Sequence, residues 1–345
     1  MAFRKIFTFL ALASLLTAQT PELKLSGFVD AFYSYDTNTP NTSKRQEFLF
    51  NHNRHNEFNL NLALLKVSIE ESKYRANVAL QAGTYPLDNY PSGYENLHEA
   101  NAGVSLNADN SLWLDAGIFS SHLGFESAIS MDNYTLTRSL AAESSPYFLT
   151  GAKLTYTPSL ELEMALVVSN GWQTIEKTDP NTKPAIGTQL LYTPNNTIRL
   201  NWSTFIGEAD ELQRRLRLFN NIYGEFMASE KLSLIAGFDI GALEHLHGSN
   251  SYDIWHISSL LAKYSFTQEY AMGARLEYVS DKDGAVIAGN GFGMNTFGAS
   301  TNFDYLLQNN VALRSELRWL QDKNAAYKEY AKENLALTAS LAIKF

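Results

Sequence analysis

The sequence predicts an all-β fold, a transmembrane antiparallel β-barrel of about sixteen strands with fourteen as the alternative, joined by short periplasmic turns and long extracellular loops. Three observations predict it. In the last eleven residues, Leu335, Leu337, Ala339, Leu341, Ile343 and Phe345 fall on one side of an extended chain, and Ala336, Thr338, Ser340, Ala342 and Lys344 on the other. That is the period-two pattern of a strand with one apolar and one wet face, and pairing this strand with the first would remove both free edges, as a bilayer demands. Second, the separators between extended runs alternate between tight turns and long polar stretches, and a soluble sandwich has no reason to sort turn lengths by side. Third, Tyr156, Tyr192, Trp202, Tyr264, Tyr278, Trp319 and Phe345 fall near strand ends or along apolar faces, where amphipathic rings suit the headgroup level.

Residues 1–18 read as an export signal. Arg4 and Lys5 form a short basic region, Ile6 to Leu16 an apolar run too short to span a bilayer, and Thr17-Ala18 a small-residue cleavage site. Residues 19–345 are expected to form one barrel. Cysteine is absent, which excludes disulfides and thiolate metal sites. The mean hydropathy of −0.21 suits a barrel in which only alternate residues meet lipid. The formal charge of −9 becomes −11 once Arg4 and Lys5 leave with the signal, and an acidic chain is a poor partner for nucleic acid.

Taken in order, the first strand is Leu23 to Tyr35, followed by a polar stretch to about Asn56. Phe58, Leu60, Leu62 and Leu64 then alternate, but Leu65, Val67 and Ile69 continue one position out of phase, which predicts a β-bulge. Glu71-Ser72-Lys73 turns the chain into Tyr74 to Gly83, with Ala76, Val78, Leu80 and Ala82 on the apolar face. Beyond the Pro- and Tyr-rich stretch from Tyr85 to Asn96, Leu97–Leu106 and Leu112–Ser120 flank a five-residue turn, Asn107 to Ser111. The longest gap, Ser121 to Ser145, precedes Pro146–Tyr156 and Leu160–Asn170, joined by Thr157-Pro158-Ser159; Gly171 to Lys183 is again a loop. Ala185–Tyr192 and Thr197–Gly207 flank Pro194-Asn195-Asn196, and Arg214–Met227 and Leu232–His245 flank Ser229-Glu230-Lys231. Tyr252–Phe266 and Glu269–Ser280 meet at Thr267-Gln268, Asn295–Leu307 and Asn310–Gln321 at Gln308-Asn309, and the closing strand follows Asp322 to Glu333.

Five short pieces carry a family resemblance: Gly27-Phe28-Val29-Asp30-Ala31-Phe32-Tyr33-Ser34-Tyr35; Arg54-His55-Asn56-Glu57-Phe58-Asn59-Leu60; Ala116-Gly117-Ile118-Phe119 running on to Gly124-Phe125-Glu126; Pro146-Tyr147 with Thr150-Gly151; and Asn170-Gly171-Trp172-Gln173. In this order the chain resembles the putative beta-barrel porin-2 family of outer-membrane proteins. All five lie in the first half of the mature chain, and the second half matches only in its strand rhythm. The resemblance implies a porin-like channel in the bacterial outer membrane and supplies no catalytic motif.

Parity sorts the strands into lipid and lumen faces. Val311, Leu313, Leu317 and Trp319 on the lipid face leave Arg314, Glu316 and Arg318 inside; Met272, Ala274, Leu276 and Tyr278 leave Arg275 and Glu277. Leu216, Leu218 and Ile222 leave Arg215, Arg217 and Glu225 inside, and Ile198, Leu200 and Trp202 leave Arg199. Inward charge is expected, since a midplane arginine or lysine facing lipid costs about 2–4 kcal/mol. Two accounts of these side chains remain open: an electrostatic filter for solutes, or a hydrated wall whose arginines and glutamates pair with each other. The loop Ser121–Ser145 carries Phe125, Met131, Tyr134 and Leu140, poorly suited to open water. It is expected to bend into the lumen, setting Glu126, Asp132 and Glu143 across the opening from Arg217, Arg275, Arg314 or Arg318, with Arg138 as its one opposing charge; an extracellular flap packed on neighbouring loops is the alternative. Glu244-His245-Leu246-His247 offers two ligands but no third, so no metal is expected. Ser120-Ser121-His122 is no catalytic pair, because neighbours in a strand point apart. The expected function is therefore passive diffusion of small polar solutes, with no cofactor and no enzymatic activity; a surface-binding barrel or a lipid-modifying enzyme is the alternative. Expected partners are outer-membrane lipid, the barrel-assembly machinery through the C-terminal strand, and, with oligomeric state open, a second copy of the chain.

Overall fold

The computed structural model describes residues 21–209, 213–289 and 291–345; the expected export signal lies outside them. The strands are β1 (Leu23–Asp36), β2 (Phe58–Glu70), β3 (Tyr74–Ala82), β4 (Leu97–Ser105), β5 (Leu112–Ser120), β6 (Phe148–Ser159), β7 (Leu162–Ser169), β8 (Ala185–Asn195) and β9 (Ile198–Glu208). They continue with β10 (Leu216–Met227), β11 (Leu232–Glu244), β12 (Tyr252–Ser265), β13 (Tyr270–Asp281), β14 (Ala288–Gly289), β15 (Phe292–Gln308), β16 (Val311–Asp322) and β17 (Glu333–Lys344). β14 is a two-residue ribbon folded back on β15, and β13 pairs with β15 past it. The other sixteen pair antiparallel with their chain neighbours, and β1 pairs with β17 to close the ring. Helix among the described residues is limited to short turns, including α1 (Thr84–Asn89) and α2 (Leu140–Glu143).

Closure runs from Phe28 opposite Lys344 to Asp36 opposite Ala336. Gly27 and Phe345 extend it by exchanging backbone hydrogen bonds of 2.7 and 3.0 Å. The Phe345 ring occupies the place where a Cβ on Gly27 would stand, so a glycine at that position lets the terminal aromatic lie flat on the seam. Seven connections at one end of the barrel are two to six residues long, whereas those at the other end run from seven to twenty-seven.

Parity holds around the wall. Leu276 is 49% exposed, while Arg275 and Glu277 on either side are 1% and 2% exposed. The bulge in β2 falls earlier than the phase slip suggests: the register breaks where Asp30 and Ala31 face Leu62 and Leu60, leaving Asn61 as the extra residue. Leu62 and Leu64 therefore point inward and are buried. The interior also differs from a uniformly polar lumen. Inward-facing Phe205, Phe219, Trp255, Val279 and Leu320 pack with Phe48, Leu123, Leu140 and Tyr327 from the loops. A second cluster gathers Phe28, Leu62, Leu64 and Phe148 with Tyr85 and Tyr90. Much of the lumen toward the loop end is thus a hydrophobic core built by folded-in loops, and burying those side chains drives the loops inward.

Candidate functional site

The segment between β5 and β6 enters the barrel. At its start, the His122 carbonyl accepts from Ser203 Oγ at 2.9 Å and its Nε2 donates to the Thr204 carbonyl at 3.0 Å. The Gly124 N–H donates to Asn221 Oδ1 at 3.1 Å, and Ser130 Oγ to Asp30 Oδ2 at 2.8 Å. Farther along, the N–H groups of Leu136, Thr137 and Leu140 donate to Asn302 Oδ1 (3.0 Å), Glu316 Oε2 (2.6 Å) and Glu277 Oε2 (2.7 Å). Arg275 Nη1 donates to Thr135 Oγ1 at 2.8 Å and to the Thr137 carbonyl at 2.6 Å. Arg314 donates to the carbonyls of Ser130 and Asn133. A peptide crossing a closed interior must find partners for its backbone groups, and here polar side chains of β1, β9, β10, β13, β15 and β16 supply them.

The same wall charges neutralise one another. Arg275 pairs with Glu316 at 2.8 Å, Arg318 with Glu277 at 2.6 Å, and Arg314 with Asp304 at 2.7 Å. All of these side chains are buried under the loop. Arg217 lies higher, with its guanidinium 4.5 Å from the Trp172 ring centre; Arg215 is half-buried just before β10. Arg199 and Glu225 face each other at 3.5 Å and keep partial exposure.

The expected opposition of loop acids to wall arginines is corrected by the geometry. Glu126 Oε2 accepts from the Ser139 N–H at 2.9 Å and from the Ser139 hydroxyl. Glu143 Oε2 accepts from the Phe50 N–H at 3.0 Å and from the Tyr147 hydroxyl at 2.8 Å, and Asp132 contacts Lys344 at the end of β17. The loop acids tie the loop to itself, to a neighbouring loop and to the closing strand, while Asp304, Glu316 and Glu277 hold Arg314, Arg275 and Arg318. Burial raises the pKa of the Glu143 carboxyl, opposed by Arg138 and by the Tyr147 hydrogen bond. Burial pushes His122 down from 6.5 to about 4, only partly offset by its hydrogen bond to Thr204.

The space left in the lumen lies on the opposite side. A cavity of about 430 Å³ is lined by Lys66, Arg75, Glu99, Asp115 and Lys153 among others. A second, of about 400 Å³, is lined by His98, His122, Arg138, Tyr147, Lys153, Arg199 and Glu225 among others. The two share Ser120 and Lys153, so together they follow the inner face of β2–β10. Lys66 pairs with Glu99 and Arg75 with Asp115, both at 2.5 Å. Parity reasoning confined to β9–β16 missed these residues, although the same alternation marks them: Arg75 and Asn77 interleave with Ala76 and Val78, and Asp115 sits between Leu114 and Ala116.

His245 pairs with Asp253 at 2.9 Å, and no group of three metal-ligating side chains occurs among the described residues. Ser121 Oγ accepts from the Leu123 N–H at 3.1 Å, while His122 turns to Thr204.

Comparison with known proteins places this geometry. The profile of the family described as "Putative beta-barrel porin-2, OmpL-like" matches residues 22–345. No curated protein matches the sequence. Among solved structures, the fold is similar to the anion-selective porin from Comamonas acidovorans, with a TM-score of 0.64, 9% identity, and 94% of this chain and 100% of that one covered. It is also similar to the outer membrane channel DcaP of Acinetobacter baumannii, with a TM-score of 0.61, 11% identity and coverage of 96% and 99%. The trimer form of OmpT from Vibrio cholerae matches with a TM-score of 0.62, 9% identity and coverage of 94% and 100%.

Proposed function

The chain belongs to the putative beta-barrel porin-2 family and is a porin channel of the bacterial outer membrane, and from that premise we propose that small polar solutes diffuse passively along the β2–β10 wall, through a passage that the folded-in loop Ser121–Ser145 narrows. The observation that carries this reading is the set of hydrogen bonds fixing the loop to Asp30, Asn302, Glu316 and Glu277 on one side, with the two connected cavities on the other. A sixteen-stranded barrel is too wide for wall side chains alone to fill, so the loop sets the free cross-section. The wall arginines Arg275, Arg314 and Arg318 hold the loop, while Arg199 and Glu225 meet the solute with Lys66, Arg75, Glu99, Asp115 and Lys153. Deleting Asp132 to Glu143 is expected to raise single-channel conductance in planar bilayers. Unchanged conductance from folded, inserted protein would rule the narrowing out.

Family and fold favour a channel over a lipid-modifying enzyme. The apolar outer face meets outer-membrane lipid, and β17 with Phe345 is the segment offered to the barrel-assembly machinery. The similarity to a trimeric outer-membrane protein supports a homo-oligomer.

A further inference from the structure

Within the passage, the charges are balanced except at one place. Lys66, Arg75 and Arg199 each face a carboxylate. Lys153 does not. Asp115 stands directly opposite it across the β5–β6 ladder, but both Asp115 oxygens are taken by Arg75, at 2.7 and 2.5 Å. Lys153 is left with an aromatic face, its Nζ 5.5 Å from the Phe119 ring centre. On the loop side of the same cavity stands Arg138, 4% exposed. Its guanidinium lies 3.7 Å from the Tyr147 ring centre, and one nitrogen donates to the Glu126 carbonyl at 3.1 Å. Its Nε and Nη1 have no hydrogen-bond partner. Neither cation has a carboxylate at ion-pair distance among the described residues, Glu143 acting on Arg138 only from farther off, and an unmet donor on a buried guanidinium is costly.

The cavity also holds unmet acceptors. Glu126 and His122 are among its lining residues, and their Oε1 and Nδ1 atoms are buried without partners; since His122 Nε2 carries the hydrogen donated to Thr204, its Nδ1 is an acceptor. Glu126 and Glu225 both border the space, which disfavours a solute with two negative charges. A matching solute presents one carboxylate to Arg138 and Lys153 and hydroxyl donors to Glu126 and His122. We infer that the cavity between the loop and β4–β10 is a solute-binding site for small hydroxylated monocarboxylates, with Arg138 and Lys153 holding the carboxylate. The inference rests on the channel reading above and deepens it.

The test compares the flux of labelled D-gluconate and D-glucose, similar in size and hydroxylation but differing by the carboxylate, into liposomes containing the purified full-length protein. One charge-assisted hydrogen bond corresponds to a preference of about ten-fold for gluconate in the unaltered protein. Lys153 is only half-buried, so Lys153→Gln tests the site without disturbing a packed core, and it is expected to bring the flux ratio close to one. Arg138→Gln is expected to do the same, and Arg138→Lys to restore part of the preference. A ratio near one in the unaltered protein, or a preference that survives Lys153→Gln in heat-modifiable, folded barrels, overturns the site and leaves the channel standing. No flux of either solute overturns the channel reading, and the site with it.

Discussion

His122 is held where a charge is unwelcome: its ring lies where a Cβ on Gly187 would stand, and it donates to the Thr204 carbonyl. With its pKa depressed to about 4 from 6.5, the folded chain refuses a proton that the unfolded chain accepts. The neutral ring therefore carries no penalty above about pH 6.5, and stability falls as the pH drops from there toward 4, by up to about 3 kcal/mol. Glu143 has the opposite sign, since a carboxyl with a raised pKa is relieved by protonation as the pH falls. Protease protection of the loop is therefore expected to weaken between about pH 6.5 and 4.5 in the unaltered protein. In His122→Gln, which keeps a donor for Thr204 but cannot titrate, that slope should flatten; equal slopes in both proteins would remove His122 as the cause. At this scale the sequence was legible only in part. Parity placed Arg275, Glu277, Arg314, Glu316 and Arg318 on the inner face, but parity carries no information on whether an inward charge meets water or a loop. Their role as partners for the loop backbone depends on contacts more than a hundred residues apart, such as Thr137 with Glu316.

Among the elements, β17 was the most legible, because its alternation is nearly free of exceptions and its partner is dictated by closure. Strand bounds elsewhere agree to within a few residues, and the seven tight turns mark one end of the barrel. The bulge in β2 was legible as a phase slip but not as a position: it falls at Asn61 rather than after Leu64, and that turns Leu62 and Leu64 inward. Trp255 and Phe219 belong to a core inside the barrel, which strand alternation alone does not distinguish from a wet wall. The seam makes its own prediction. Phe345 adds the final pair of hydrogen bonds to Gly27 and covers the seam with its ring, so its deletion is expected to lower the amount of folded, heat-modifiable protein in the outer membrane while leaving the conductance of inserted channels unaltered. Normal folding and yield after deletion would contradict this.

The whole molecule divides into a filled half and a passage half, and charge sorts with that division. Against β13, β15 and β16, the loop closes a dry network in which Glu277 serves both Arg318, at 2.6 Å, and Arg275, at 3.4 Å, while accepting from the Leu140 N–H. Removing one member of a buried pair strands its partner, at a cost of about 3–5 kcal/mol. In Glu277→Gln that cost has two outlets: the barrel or the loop. The barrel strands are each laddered to two neighbours around a closed ring, whereas the loop is held to this wall by side-chain contacts alone, so the weaker attachment gives way first. Glu277→Gln is therefore expected to leave a heat-modifiable barrel in the membrane but to raise single-channel conductance and its fluctuation, in the direction of the loop deletion and by a smaller step. A folded Glu277→Gln barrel with unaltered conductance and noise would show that the loop is held chiefly by its apolar contacts, Leu123 and Leu140 against Phe205, Phe219 and Trp255, and that the buried charges are not the clamp.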